Sequence, residues 1–395
     1  MRRRRIVKCA GSAVQAAMAV MCVINFVLTP YFECILDGDS CDEHVSLMAG
    51  IYARSVSFTC LVSVAFAWRK YRGTMATYVE RTELHDAYTA PATGADAAAD
   101  DRPRYVGRAT FDGVVLYTNL LLIVPVNAFR LYRFVSDNRP APVLVYFSFM
   151  YSQNLYVCLY ETHFARLLYV LYTRFADLNR QMEVIGERIV DGRRAREDPP
   201  PGRDGCWIPY DGDDDRRPPY HYYSAATGQP LVDAIERFRI RHRLVREAVN
   251  ALKPTFAVPI GLSLCNLCVM ALFDVYYHLK NSVYQPAGDM ATVYIFLWLS
   301  QYMFRFFVVT MTVDITMKQA QSSKETITDI SRYCLDICTK EELQIFSNQI
   351  SSTVIEFSMC DLFSINARLF TSAVGVCITY LVILLQFKIK VDNVY

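Results

Sequence analysis

The feature that most constrains this chain is its series of long apolar blocks. A helix needs about 20 predominantly apolar residues to cross the hydrocarbon core of a bilayer. Seven stretches of the sequence approach or exceed that length. They are Ile6 to Phe32, Val45 to Trp68, Gly113 to Phe129, Ala141 to Glu161, Pro254 to His278, Met290 to Val313 and Leu369 to Phe387. The pattern predicts an all-α integral membrane protein with seven transmembrane helices that is embedded in a lipid bilayer.

Composition and motifs exclude several other classes of protein. The chain is 53% hydrophobic, which is too apolar for a disordered protein, and its net charge of +2 gives no global attraction to nucleic acid. Its 13 cysteines follow no zinc-binding pattern, and the chain contains no P-loop, GxGxxG or HExxH motif. The sequence therefore predicts no enzyme, no metal, no cofactor and no nucleic-acid partner.

The distribution of Lys and Arg predicts which way the helices face, because short cytoplasmic loops retain basic residues. With the N-terminus inside, the inner segments carry 31 basic residues and the outer segments carry 6. Long loops cross membranes regardless of charge, so the 15 in the fourth-to-fifth connection are discounted, which leaves 16 against 6. We therefore predict a cytoplasmic N-terminus and, with seven helices, an extracellular C-terminus.

The composition of the segments between the spans divides the chain into three predicted parts. Residues 1–190 hold helices one to four and a cytoplasmic extension of the fourth, and 191–230 are a Pro- and Asp-rich insert predicted to be disordered. Residues 231–395 hold an amphipathic anchor helix, helices five and six, a re-entrant anchor helix and helix seven. The last anchor helix carries an apolar stripe of Leu343, Phe346, Ile350, Val354 and Phe357. Four cytoplasmic helical segments with apolar faces are expected to pack as an anchor bundle.

The last span carries a recognisable motif. Thr379 and Tyr380 are followed by five hydrophobic residues and then by Gln386 and Phe387, and Gly375 precedes them. Upstream stands the sequence Phe-Ser-Ile-Asn at 363–366. This arrangement is similar to the TY-(five hydrophobic)-QF signature of the insect gustatory receptor family. Together with the span count, the orientation and the long fourth-to-fifth loop, the resemblance covers nearly the whole chain.

The resemblance implies a function. It implies a ligand-gated, non-selective cation channel in the plasma membrane of chemosensory neurons, opened by a tastant such as a sugar or a bitter compound. The subunits would form a homotetramer or a heterotetramer with related receptors, with the seventh helix of each around a central pore. The alternatives are a secondary transporter of a small solute and a metabotropic receptor of reversed orientation. A transporter would show internal repeats with paired broken helices, and none is found.

The proposed pore stripe follows one face of the seventh helix. Gly375, Thr379, Ile383 and Gln386 recur at spacings of three and four, while Tyr380 and Phe387 lie beside that face. An apolar stripe that ends in an amide suits a narrow conduit that closes by dewetting. The alternative is that Gln386 only hydrogen-bonds across helices.

Candidate ligand-binding groups are polar or aromatic residues within the spans. In the sixth span Tyr294, Trp298, Gln301 and Arg305 share a face. The remaining candidates are Tyr52, Arg54, Asn127, Phe149, Gln153 and Tyr156. Ordinary helix packing is the alternative for most of the rings. Arg54, Arg305 and Asp274 of the fifth span are ionisable, and an ion within a bilayer is costly and usually faces the bundle interior. For these three residues the alternative is an ion pair between helices, for example Arg54 with Asp274.

Two cysteines lie close together in the first predicted outer loop. Cys34 and Cys41 are separated by six residues. A disulfide bond and two free thiols are both consistent with that position.

Overall fold

The computed structural model describes residues 2–37, 43–89, 107–136, 138–197, 207–209, 222–224, 230–284, 289–333, 337–352, 355–359 and 362–392. The helices of these residues are α1 (Arg2–Asp37), α2 (Glu43–Thr89), α3 (Gly107–Ser136), α4 (Ala141–Glu197), α5 (Leu231–Tyr284), α6 (Asp289–Tyr333), α7 (Ile337–Ser352) and α8 (Ala367–Asp392). Two short antiparallel pairs join β1 (Trp207–Pro209) to β2 (Tyr222–Ser224) and β3 (Ser358–Met359) to β4 (Phe363–Ser364). The prediction of an all-α architecture is confirmed.

Five helices contain segments that are long and apolar enough to cross a membrane. These segments are Gly11–Thr29, Gly50–Thr89, Thr110–Ser136, Leu231–Tyr276 and Ile295–Arg332. The described apolar part of α8, Ala367–Ile383, is shorter. The remaining predicted span lies in α4, where Gln153, Asn154 and several tyrosines lower the hydropathy. The count of seven spans and their orientation stay predictions.

The helices pack in pairs around one large apolar core. α2 lies mainly along α5, α4 lies along α6, and α1 lies on α2. Phe164, Leu168 and Phe256 are among the fully buried side chains of this core. Because lipid tails are as apolar as these side chains, close van der Waals packing and hydrogen bonds between helices hold the spans together within a bilayer.

A proline in α5 is compensated by a side chain of α4. Pro259 has no N–H, so the carbonyl oxygen of Thr255, one turn earlier, lacks its helical hydrogen bond. The Tyr160 hydroxyl donates to that oxygen over 2.9 Å. Because an unpaired carbonyl is costly away from water, this contact allows α5 to carry the proline inside the core.

The predicted anchor bundle is present as a second apolar core. Four helices contribute to it, and its buried residues are Leu178, Met182 and Ile189 from α4, Leu231, Ile235 and Phe238 from α5, Ile327 and Ile330 from α6, and Leu343, Phe346 and Ile350 from α7. The prediction that these four segments pack together is confirmed. We call this group the anchor bundle.

The structure differs from the sequence-based prediction at two connections. α4 continues to Glu197 and the strands β1 and β2 pair within the segment 191–230, so part of the insert is ordered; its other residues lie outside the described part. α7 ends at Ser352, and Phe357 of the predicted stripe lies beyond it, while Val354 is not described. Phe357 is instead buried in the large core.

The strand pair β3–β4 connects the anchor bundle to α8. The Ile365 N–H donates to the Phe357 carbonyl over 2.7 Å, and both side chains are buried in the large core. Met359 of β3 lies against α5 at Gly261, where an added Cβ would be 2.3 Å from the methionine sulfur. Only glycine leaves room for this contact.

Two buried histidines outside the predicted spans, His242 of α5 and His85 of α2, make the protein sensitive to acid. His242 is buried between the rings of Phe175 and Phe346, with its Nε2 3.2 Å from the Ala320 carbonyl oxygen. Burial, with a smaller contribution from the Arg246 charge, lowers the pKa of His242 to about 4. Burial likewise lowers the pKa of His85 to about 4.

We expect the melting temperature of the purified protein to fall as the pH is lowered from about 6.5 toward 4. An unfolded histidine has a pKa of about 6.5, so over this range the unfolded state binds more protons than the folded state. Above about pH 6.5 the two histidines add no pH dependence. Replacement of His242 by Phe, which keeps a ring but does not titrate, should reduce the fall. An equally steep fall in this variant would contradict the assignment.

Candidate functional site

The interior of the large core contains a chain of polar groups from three helices. The Tyr302 hydroxyl of α6 donates to Asp274 Oδ2 of α5 over 2.8 Å. The Tyr52 hydroxyl of α2 lies 3.4 Å from the Tyr302 hydroxyl. The cation whose charge acts on Asp274 is Arg130, at the end of α3. The predicted pair of Arg54 with Asp274 is therefore wrong.

Arg54 lies on another side of α2. Its guanidinium carbon is 5.9 Å from the centre of the Phe26 ring of α1. Two residues along a helix correspond to about 200° of rotation, so Arg54 and Tyr52 face different neighbours. Arg54 thus belongs to the α1–α2 contact and not to the polar chain around Tyr302.

A buried ion pair lies one helical turn from Tyr302. Arg305 donates through Nε to Glu161 Oε2 over 2.7 Å and through Nη2 to Oε1 over 3.0 Å. Its Nη1 donates to Asn154 Oδ1 over 2.8 Å, and the Ser263 hydroxyl donates to Glu161. Both charged side chains are 2% exposed. The network connects α4, α5 and α6, and each nitrogen of the guanidinium has an acceptor.

Two buried glutamines have amide groups without complete partners. Gln301 is fully buried, and neither its oxygen nor its nitrogen has a hydrogen-bond partner among the described residues. Gln153 accepts from the Ser57 hydroxyl over 2.8 Å, but its Nε2 has no partner in the same part of the chain. Trp298 and Arg305 lie one turn on either side of Gln301 on the same face of α6. The Trp298 and Tyr302 rings are 5.6 Å apart.

The other predicted ligand residues are dispersed. Tyr156 packs partly buried against a small cluster of Cys22, Cys60, Val64 and Val157, between α1, α2 and α4. Phe149 is partly buried on α4, and Asn127 is buried on α3 with an unpartnered Oδ1 within the described residues. The side chain of Tyr294 lies outside the described residues. The structure thus brings together Tyr52, Trp298 and Gln301 near Tyr302.

Two large cavities that the described residues form lie elsewhere. One of about 1310 Å³ opens between α1 and α2 and is lined by Gly11, Trp68 and Tyr71 among others. The other, of about 690 Å³, opens beside the β3–β4 connection and the start of α8 and is lined by Glu356, Asn366 and Arg368 among others. Tyr52, Gln153, Trp298 and Gln301 line neither of them.

The predicted pore face of α8 is uncovered in the single chain. α8 contacts α5 and α6. The ring centre of Phe370 lies 5.7 Å from the ring centres of both Phe306 and Phe307 of α6. The predicted pore residues Gly375, Thr379, Tyr380, Ile383 and Gln386 are all exposed. The Thr379 hydroxyl donates to the Gly375 carbonyl over 2.9 Å within the helix. The side chain of Phe387 is outside the described residues, as are Cys41 and the side chain of Cys34.

Comparison with known proteins gives consistent results. A family model described as 7tm Chemosensory receptor matches residues 96–391. Putative gustatory receptor 28b of Drosophila melanogaster is 25% identical over 181 residues, which is 44% of this chain and 38% of that receptor. The match therefore spans less than half of the curated relative.

Solved structures of an insect receptor share the fold. The olfactory receptor OR5 from Machilis hrabei in complex with eugenol has a TM-score of 0.57 at 11% identity, over 98% of this chain and 90% of that one. A second structure of the same receptor has a TM-score of 0.55 at 12% identity, over 94% of this chain and 88% of that one. At this identity the likeness concerns the fold alone.

Long apolar helices around a buried polar network define a multi-pass membrane protein. The family model matches well over half of the residues. The chain belongs to the 7tm chemosensory receptor family, the insect chemoreceptors. The resemblance to insect gustatory receptors that the C-terminal motif indicated is confirmed.

Three residues of the polar network, Asn154, Glu161 and Ser263, were not predicted from the sequence. Glu161 marked only the end of a span, while Asn154 and Ser263 were not considered. Glu161 lies eight residues after Gln153 and seven after Asn154, so all three lie on one side of α4. That alignment of an acid with two amides was a signal for a buried polar face.

Proposed function

We propose that this protein is a subunit of a ligand-gated, non-selective cation channel, opened by a tastant such as a sugar or a bitter compound. It acts in the plasma membrane of chemosensory neurons. Four subunits, identical or related, surround a pore formed by α8. The proposal extends the family membership, which by itself establishes a chemosensory receptor.

The observation that carries the proposal is the uncovered face of α8. This helix is apolar, yet Gly375, Thr379 and Gln386 interrupt its exposed face with small or polar groups. A polar amide that faces lipid loses its hydrogen bonds and is unfavourable there. An amide that faces a pore can instead contact the permeating ion and its water, so polar groups are expected on a pore-lining face. Copies of α8 around a central axis cover this face.

The proposed ligand site is the region of Tyr52, Trp298 and Gln301. Gln153, Asn127, Phe149, Tyr156, Tyr294 and Arg54 remain proposed contributors from the sequence, although Arg54 and Tyr156 face α1. Aromatic rings with a few placed amides are the usual lining of a small-molecule site. Helix α6 connects this site to α8, because Phe306 and Phe307 contact Phe370 one turn beyond Tyr302.

The test is the current in cells that express this chain alone at the surface, during perfusion of sugars, bitter alkaloids and amino acids. We expect a fast cation current that persists in excised patches without nucleotides. The variant Gln386→Ala should change the leak current or the ion selectivity at unchanged surface expression, because it removes the amide ring. A nucleotide requirement would contradict the channel, and wild-type currents in the variant would remove Gln386 from the pore.

A further inference from the structure

The amide of Gln301 is unusual because it is buried without partners. Buried amides in proteins are almost always hydrogen-bonded, since an unpaired one loses its interactions with water and gains nothing. Gln301 is fully buried, yet both of its polar atoms lack partners among the described residues. The amide therefore offers its N–H donors and its carbonyl acceptor to a partner that the described residues do not supply.

Two charged groups of α5 and α6, Arg305 and Asp274, are already engaged by other groups of the protein. Arg305, one turn away, directs all three nitrogens to Glu161 and Asn154. Asp274 accepts from Tyr302 and lies within the field of Arg130. An ionised ligand at the Gln301 amide would find no free counter-charge on this face of α6, where Arg305 is fully engaged, and burying an unpaired ion is far more costly than burying a neutral polar group.

Two buried aromatic residues flank Gln301 along α6. Trp298 is 3% exposed and Tyr302 is 1% exposed, and Trp298 precedes Gln301 by one turn. Rings at this position favour contact with the flat or apolar face of a small molecule.

On these grounds, and resting on the proposed function, we propose that the ligand is an uncharged molecule with at least one hydrogen-bond donor and one acceptor, held by the Gln301 amide. Neutral polyols and neutral planar amides meet this description. Amino acids and protonated alkaloids do not.

The first experiment requires no ligand. The melting temperature of the purified protein is compared with that of Gln301→Leu, which has similar size and no polar group. We expect the variant to melt at the same or a higher temperature, because it removes an unpaired buried amide. Gln321→Leu, an identical change at an exposed position of α6, is the matched control. A clearly lower melting temperature for Gln301→Leu alone would overturn the proposal, since water or protein groups would then satisfy the amide.

The second experiment measures binding by thermal stabilisation of the purified protein. Two matched sets are used: glucose with glucuronate and protonated glucosamine, and benzamide with benzoate and benzylammonium. We expect stabilisation by an uncharged member, and about tenfold weaker binding to Gln301→Leu, as the loss of one hydrogen bond predicts. Stronger stabilisation by a charged member, or none by either uncharged member, would contradict the proposal.

Measuring both binding and current distinguishes failure of the proposed ligand class from failure of the proposed channel function. Binding of an uncharged member without any current would contradict the channel and support the ligand class. A current evoked only by ionised compounds would support the channel and overturn the ligand class.

Discussion

Replacement of Arg305 by alanine is expected to remove most of the protein from the cell surface. The change leaves the Glu161 carboxylate buried without its bidentate partner, and it also leaves Asn154 Oδ1 without a donor. Breaking a buried ion pair by removing one partner costs about 3–5 kcal/mol, which is a large part of the stability of a typical protein. Surface biotinylation and the melting temperature of the purified protein measure the effect.

Two further variants show whether the pair itself is responsible. Arg166→Ala removes an ion pair of α4 with Asp112 in which Arg166 is 61% exposed, so it should cost no more than about 1 kcal/mol. The double change Glu161→Leu with Arg305→Met removes both buried charges and should restore part of the surface level. If Arg305→Ala alone reaches the surface like the wild type, the network does not hold the three helices together.

Substitution of Gly261 by alanine is expected to abolish the ligand-evoked current. The new Cβ would lie 2.3 Å from the sulfur of Met359 and 2.7 Å from its Cβ and Cγ. Rotation of the methionine side chain cannot relieve the contact with its own Cβ, so strand β3 has to move. Because β3 connects the anchor bundle to α8, the displacement reaches the proposed pore helix. Overpacking of this kind also costs about 1–3 kcal/mol of stability.

The current is recorded together with the surface level, so that loss of folding and loss of gating are distinguished. Gly186→Ala in α4 is the matched control, because its Cβ would meet Ile330 at an ordinary 3.5 Å. This control should be neutral or slightly stabilising, as alanine favours a helix by about 1 kcal/mol over glycine. Met359→Ala added to Gly261→Ala removes two of the three close contacts and should recover part of the current. Normal currents in Gly261→Ala would show that the β3 position does not matter for opening.

Much of the fold was predictable because it depends on local patterns. Long apolar blocks predicted where the helices lie, and spacings of three and four predicted the faces of α5 and α7 that pack in the anchor bundle. The C-terminal motif predicted the family. The two misplaced features, the continuation of α4 to Glu197 and the end of α7 at Ser352, are helix boundaries, which local patterns define least well.

The site was predictable only in part. Trp298, Gln301 and Arg305 of the sixth span are buried together, because residues three and four apart lie on the same side of a helix. The partner of Arg305 was not predictable: Glu161 is 144 residues away, and the ion pair considered from the sequence joined Arg54 to Asp274.

The sequence by itself determined the helices, their apolar faces and the family, since these follow from the order of residues along a single helix. Only the tertiary structure decided that Arg305 pairs with Glu161, that Tyr160 caps the carbonyl freed by Pro259, and that Met359 occupies the space at Gly261. Each of these contacts joins helices or strands far apart in the chain. Such contacts depend on how far each helix is shifted and rotated against its neighbours. That arrangement is fixed by the close packing of side chains from all the helices together, which no single stretch of sequence contains.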